Sequence, residues 1–265
     1  LGLFLGKLYG LDAKTGELRW TQTRINKNIA AVQAAKFNGQ EVFVTHLGEI
    51  VRPADGKVLF RPRGAITGDS GTWGPPVVIG QTMYVGKYGV LHMASFDFHD
   101  AQGDNWKTEP LADFDLNVPP ELHKNPRSGG WLDRATAGSP LVHDGLVYTV
   151  DIYGWLFVLD LETKQLVYYK DLGVNGLMHY NAVPVAASPT LVGKHLVVLD
   201  NQGTGLVLAT GREFKLIARN RIETVLDRPW PIPAQETLAY APPVVDGDCF
   251  YLRGERYLYC IGTQK

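Results

Sequence analysis

Four groups able to bind a cation crowd into DFHDAQGD (97–104): Asp97, His99, Asp100 and Asp104. Oxygen-rich spacing of this kind suits a hard ion such as calcium. The run lacks the glycine position and the closing glutamate of an EF-hand loop, so a solvated hairpin extension is the simpler reading. The seven histidines (46, 92, 99, 123, 143, 179 and 195) form no HExxH and no CxxCH haem attachment. No GxSxG, Walker loop or GxGxxG occurs, and the nearest approach, QGTGLVLATG, reads as strand, turn and strand.

The two cysteines, Cys249 and Cys260, lie in DGDCFYLRGERYLYCIG. A two-residue turn at Gly254-Glu255 pairs Arg253 with Arg256 and so places Cys249 opposite Cys260. Opposed residues have Cβ atoms about 4.5–5.5 Å apart, which puts a strained cross-strand disulfide within reach. The alternative is two reduced cysteines serving as small buried hydrophobes.

Aromatic and cationic side chains gather elsewhere, in GDSGTWGP (68–75), SGGWLDRATAG (128–138), GLMHYNAVPVAA (176–187) and DRPWPIPAQETLAYA (227–241). They supply Trp73, Trp131, Arg134, His179, Tyr180, Trp230 and Tyr240. Trp, Tyr and Arg are the residues most enriched among binding hot spots, which suits a recognition face. The same rings also bury large area when they pack connectors over sheet edges, and the sequence leaves both readings open.

The elements that position these residues are repeats. GPPVVIGQTMYV (74–85), GSPLVHDGLVYTV (138–150), ASPTLVGKHLVVL (187–199) and APPVVDGDCFYL (241–252) each carry a proline, a short apolar strand, a glycine turn and a second strand. AAKFNGQEVFV (34–44) is a fifth copy without the proline. A second hairpin follows each copy. GKLYGLDAKTGELRW (6–20) parallels YGWLFVLDLETKQLVYY (153–169), aligning Asp12 with Asp160, Thr15 with Thr163 and Trp20 with Tyr168. Asp12 is placed to accept from N–H groups two or three residues on, and Gly16 to end that turn.

Four strands per unit and no amphipathic helix predict an all-β β-propeller of four-stranded antiparallel blades. Units are expected at 27–66, 67–117, 131–174 and 182–222, with partial ones at 1–26 and 236–265. The whole, 1–265, reads as one domain, incomplete at its N-terminus. The long interval between Pro76 and Pro140 predicts a loop excursion at 96–130, a polar stretch rich in proline.

SPLVHDGLVYTVDIYGWLFVLDLETKQLVYY resembles the repeat of the PQQ-like propellers, the group of the quinoprotein dehydrogenases and the assembly factor BamB. DGDCFYLRGERYLYCIG looks like the last repeat of exported bacterial members. The resemblance implies that Trp20 docks one blade on the next, with Phe60 and Tyr168 in matching positions and Lys215 at the fourth. Quinoprotein enzymes carry a vicinal cysteine pair, which this chain lacks. The resemblance therefore implies a non-catalytic module without cofactor, periplasmic or extracellular, that binds or assembles a protein partner. A quinoprotein-type oxidoreductase, or a remnant of one, is the alternative. A carbohydrate- or peptide-binding module is the third. Export also favours oxidised cysteines.

Composition narrows the partners. With 26 Lys+Arg against 27 Asp+Glu the formal net charge is -1, so no global field attracts nucleic acid. No apolar run approaches the roughly 20 residues of a membrane-spanning helix.

Overall fold

Short runs of alternating polarity, closed by glycine-containing turns, cannot bury a helical stripe but can bury one face of a strand. The chain follows that pattern throughout. The computed structural model describes residues 2–4, 7–23, 25, 32–62, 74–87, 92–108, 110–115, 119–122, 124, 135–174, 183–222, 241–254 and 257–262. Apart from one turn of 3-10 helix at Pro120–Leu122, every regular element among them is a strand.

Contacts divide the chain into two compact units, Leu1–Leu116 and Asn117–Lys265, each holding three sheets. In the first unit, β1 (Gly2–Phe4), β2 (Lys7–Leu11) and β3 (Leu18–Gln22) form a three-stranded sheet. Next come β4 (Gln33–Phe37), β5 (Gln40–Val44), β6 (Ile50–Val51) and β7 (Val58–Phe60), then β8 (Val77–Ile79), β9 (Thr82–Lys87), β10 (His92–Asp97) and β11 (Pro110–Asp115). The second unit holds β12 (Leu141–His143), β13 (Leu146–Val150), β14 (Trp155–Asp160) and β15 (Leu166–Asp171). It continues with β16 (Thr190–Val192), β17 (His195–Leu199), β18 (Thr204–Ala209) and β19 (Leu216–Arg221), and ends in β20 (Val244–Asp246), β21 (Cys249–Arg253) and β22 (Leu258–Gly262). Each sheet is an antiparallel meander, so the four full units and two partial ones of the sequence pattern are the four four-stranded and two three-stranded sheets described.

The first turn of a blade is tight. At Asn38-Gly39 and Asp144-Gly145 both residues take positive φ, as the two-residue turn that matches strand twist requires. The last two strands slip by one residue at Gly10/Leu11, Ile50/Val51, Ser95/Phe96, Val158/Leu159 and Val207/Leu208. This bulge sharpens the local twist at the same place in five sheets.

In the first unit, Phe37, Phe60, Phe96, Phe98 and Trp106 share one core, with ring centroids 4.9–5.8 Å apart. In the second, Tyr148, Leu156 and Val158 pack with Leu196, Val198, Leu206 and Leu208 of the following sheet.

Two expectations need correction. Part of the expected excursion at 96–130 belongs to the blade: Phe96 and Asp97 end β10, and Pro110–Asp115 is the fourth strand, while 116–118, 123 and 125–130 lie outside the described residues. Between them Phe98, Ala101 and Trp106 are buried, and the Asn38 side chain donates to the Phe98 and His99 carbonyls at 2.8 Å each. The segment reads as polar because its core residues are interspersed with acids and amides. The position expected for Lys215 is held instead by Ala218, which pairs with Val207 as Trp20 pairs with Gly10. Thr210-Gly211 follows its strand two residues sooner than Thr15-Gly16 does, and the turn before β19 is one residue longer, which together move the place by three.

Candidate functional site

Three sheets join their second and third strands by a turn of one design. At Asp151–Trp155, the Asp151 Oδ1 accepts from the Tyr153 N–H at 3.0 Å and the Trp155 N–H at 2.9 Å. At Asp200–Thr204, the Asp200 Oδ1 accepts from Gln202 at 3.0 Å and Thr204 at 2.8 Å. At Thr45–Glu49 the Thr45 hydroxyl takes the acceptor's place for the Glu49 N–H at 3.1 Å. Each turn carries glycine at its fourth position, Gly48, Gly154 and Gly203, with φ between 80° and 88°. The glycine N–H returns to the carbonyl of the first residue in every case.

In the second unit these turns hold the connectors that lead into the blades. Ile152 donates to the Ala135 carbonyl at 2.9 Å and accepts from the Val185 N–H at 3.0 Å. Asn201 donates its N–H to Pro184 at 2.8 Å and its side-chain amide to the Val183 carbonyl at 3.1 Å. Further along, the Ser139 N–H donates to Ser188 Oγ at 2.8 Å. Connector, turn, connector and turn thus form one run of hydrogen bonds across two blades. Sequence reasoning missed these anchors. Their signal is an Asp or Thr at the end of an apolar strand with Gly three residues on: DIYG, DNQG and THLG.

All seven residues expected on the recognition face, Trp73, Trp131, Arg134, His179, Tyr180, Trp230 and Tyr240, lie outside the described residues. The described residues nearest them in sequence are connector roots: Gly74, Ala135, Val183 and Ala241.

The Thr45–Glu49 turn is the most polar of the three. Glu49, fully buried, pairs with half-exposed Arg61 at 2.9 Å and accepts from the Thr45 hydroxyl at 3.2 Å. His46, which occupies the place of Ile152 and Asn201, is 1% exposed, and neither ring nitrogen has a hydrogen-bond partner. Burial alone pushes its imidazole down to about 4, so the ring is neutral at physiological pH.

The outer turns dock blade on blade. The Asp12 Oδ1 accepts from the Lys14 and Thr15 N–H groups at 2.9 Å, and the Asp160 Oδ1 from Glu162 and Thr163 at 2.8 Å, as the aligned sequences require. The Trp20 ring lies against Gly10 of its own sheet and Gly56 of the next, and Gln22 donates to the Gly56 carbonyl at 2.9 Å. Phe60 packs edge-on to Phe96 and Phe98, and Tyr168 to Phe214, so the aromatics at matching positions do the same work with other partners. Arg212 reaches from its own sheet to pair with Asp160.

The acidic run resolves into ordinary contacts. Asp104 pairs with Arg52 at 2.6 Å and Lys57 at 2.7 Å, and these cations, Lys57 first, hold its carboxyl below the usual range. Asp97 accepts from the His99 N–H at 3.0 Å. Among the described residues no three His, Cys, Asp or Glu side chains come together as a metal site.

The cysteine register differs from the sequence expectation. Cys249 lies opposite Gly262, and Cys260 lies opposite Tyr251. The Gly254 N–H donates to the Tyr257 carbonyl at 2.8 Å, moving the turn one residue along. A slip of two residues leaves every side chain on its own face, so the apolar pattern does not choose between the registers and the turn does. Both thiols are free.

Antiparallel meanders of three and four strands, bulged before the outer strand and docked by aromatics from blade to blade, define an all-β protein of the β-propeller class. The fold is similar to that of BamB from Moraxella catarrhalis, with a TM-score of 0.51 and 16% identity over 94% of this chain and 76% of that one. It is equally similar to the computationally designed Ika8 protein, with a TM-score of 0.51 and 14% identity over 97% of this chain and 66% of the designed one. A quinohemoprotein alcohol dehydrogenase from Pseudomonas putida aligns with a TM-score of 0.44 and 18% identity, over 69% of this chain and 28% of that chain. No protein-family model and no curated protein matches the sequence. Among the described residues, no helix is long and apolar enough to cross a membrane.

Proposed function

We propose that this propeller is a non-catalytic protein-binding or assembly module of the periplasm or cell surface. The observation that carries the reading is the likeness in fold to BamB along 94% of the chain. The hydrogen-bonded run from Ala135 to Asn201 supports it, because connectors rooted in rigid turns are a frame on which aromatic side chains can recognise a partner. The residues assigned to that recognition are Trp73, Trp131, Arg134, His179, Tyr180, Trp230 and Tyr240. The absence of a vicinal cysteine pair in this chain sets it apart from the quinoprotein enzymes its repeats resemble.

Two experiments test the reading. Reconstitution with pyrroloquinoline quinone and calcium, followed by assays of alcohol and sugar oxidation, should give no turnover; sustained turnover would establish the oxidoreductase instead. Photo-crosslinking groups at Trp73, Trp131 and Trp230 should capture one protein partner, and single alanine substitutions there should weaken that capture with unchanged thermal midpoints. An equal loss of stability in all three would assign these rings to packing.

A further inference from the structure

We propose that Cys249 and Cys260 form an exposed two-thiolate site for a thiophilic cation of the copper(I) class. Phe250 and Leu252 pack towards Ala187, Val197 and Leu199, which turns Cys249 and Tyr251 to the opposite face of β21. Their partners across the ladder are Gly262 and Cys260, so both sulfurs share that face at diagonal positions. A Cβ built at Gly262 would stand 2.9 Å from the Asp248 carbonyl and 3.3 Å from the Cys249 sulfur, so that sulfur lies over a backbone with no side chain of its own. Cys249 is half-buried and Cys260 exposed, so an ion reaches them from solvent.

The diagonal geometry decides which bond the pair makes. Diagonal neighbours sit about 7–8 Å apart, with Cβ atoms somewhat closer, whereas a disulfide needs Cβ atoms about 3.5–4.5 Å apart. An ion between the sulfurs adds two metal–thiolate bonds of about 2.3 Å each and spans the wider gap. Soft thiolate ligands select copper(I), for which two donors suffice. Two protonated thiols bind one ion with release of two protons, leaving a complex of net charge −1. Arg253 stands on the same face as a counter-charge, while Asp246, opposite Cys249 on β20, keeps the site open to cations.

Anaerobic titration of the reduced chain with copper(I), in competition with bicinchoninate, should show one ion retained per chain, two protons released and a near-ultraviolet thiolate-to-copper band. X-ray absorption should count two sulfur ligands. Cys249→Ser and Cys260→Ser should each lose retention, and Tyr251→Phe should keep it. Unchanged binding in the double serine variant, failure of the wild type to compete with the chelator, or no titratable thiol in the unfolded, unreduced protein would overturn the assignment.

Discussion

The indole N–H of Trp20, on the third strand of its sheet, donates to the carbonyl of Pro53 in the outer turn of the next sheet, at 2.8 Å. The same ring closes on Gly56 of that turn, where an added Cβ would meet the indole at 2.5 Å while φ stands at +75°. Docking between these blades therefore needs a large ring on one side and a missing side chain on the other. Trp20→Ala should lower stability by about 2–3 kcal/mol, less than a fully buried tryptophan because the ring is half-exposed. Gly56→Ala should cost about 1–3 kcal/mol through strain and overlap with an intact tryptophan. Denaturant midpoints of the two variants and their combination check this, and the double variant should fall short of the sum.

The inner-turn acids should separate by partner. Asp151→Ala strands one buried and one partly buried N–H group and should cost about 2–4 kcal/mol, as should Asp200→Ala. Asp200 Oδ2 has no partner, so Asp200→Asn keeps the acceptor that matters and should cost under about 1 kcal/mol. Thermal unfolding of the three variants decides it.

Tyr148 tests a single bond across two sheets. Its hydroxyl accepts from the Gly211 N–H at 2.8 Å, and the ring is fully buried. Tyr148→Phe keeps the packing and leaves that N–H without its acceptor, for a loss of about 1–2 kcal/mol in a denaturant titration.

Acid should weaken the fold in two stages. His46 is held at about 4 in the folded state against about 6.5 in the unfolded chain, so the unfolded state binds the extra proton first. Stability is full above pH 6.5 and falls by up to about 3 kcal/mol as pH drops towards 4. Below that, Asp12 and Asp160, both lowered to about 2, lose their stabilising charge as pH falls from about 4 through 2. The first is held down chiefly by Arg19, the second by the Thr163 N–H and then Arg212. Melting curves of wild type and His46→Leu across pH 7 to 4 should differ in slope, with the variant flat.

Local rules were legible in the residues themselves. Asp12 and Asp160 cap their turns because a short carboxylate at that place reaches the N–H groups two and three residues on, and the Trp20 alignment told which strand faces a neighbour. What depended on counting residues through a turn was not legible. The Cys249 register changed because its turn moved one residue along, and the place of Ala218 changed partly through the length of its turn; alternation of apolar residues is blind to the two-residue slip of the cysteine strands. The outer strand at Pro110–Asp115 was hidden by its proline, which an edge position tolerates. The inner turns escaped because two of their acceptors are buried acids and the third a threonine hydroxyl, and a lone Asp or Thr after a strand reads as solvated loop.

The run of bonds linking Ala135, Ile152, Val185, Pro184 and Asn201 is carried almost wholly by main-chain atoms. Main-chain anchors impose no alphabet on the letters between them. Selection can rewrite the sequence between Val174 and Val183, or ahead of Ala135, while the chassis keeps its hydrogen bonds. An engineer can use the same freedom, grafting foreign loops between those roots as in a display scaffold.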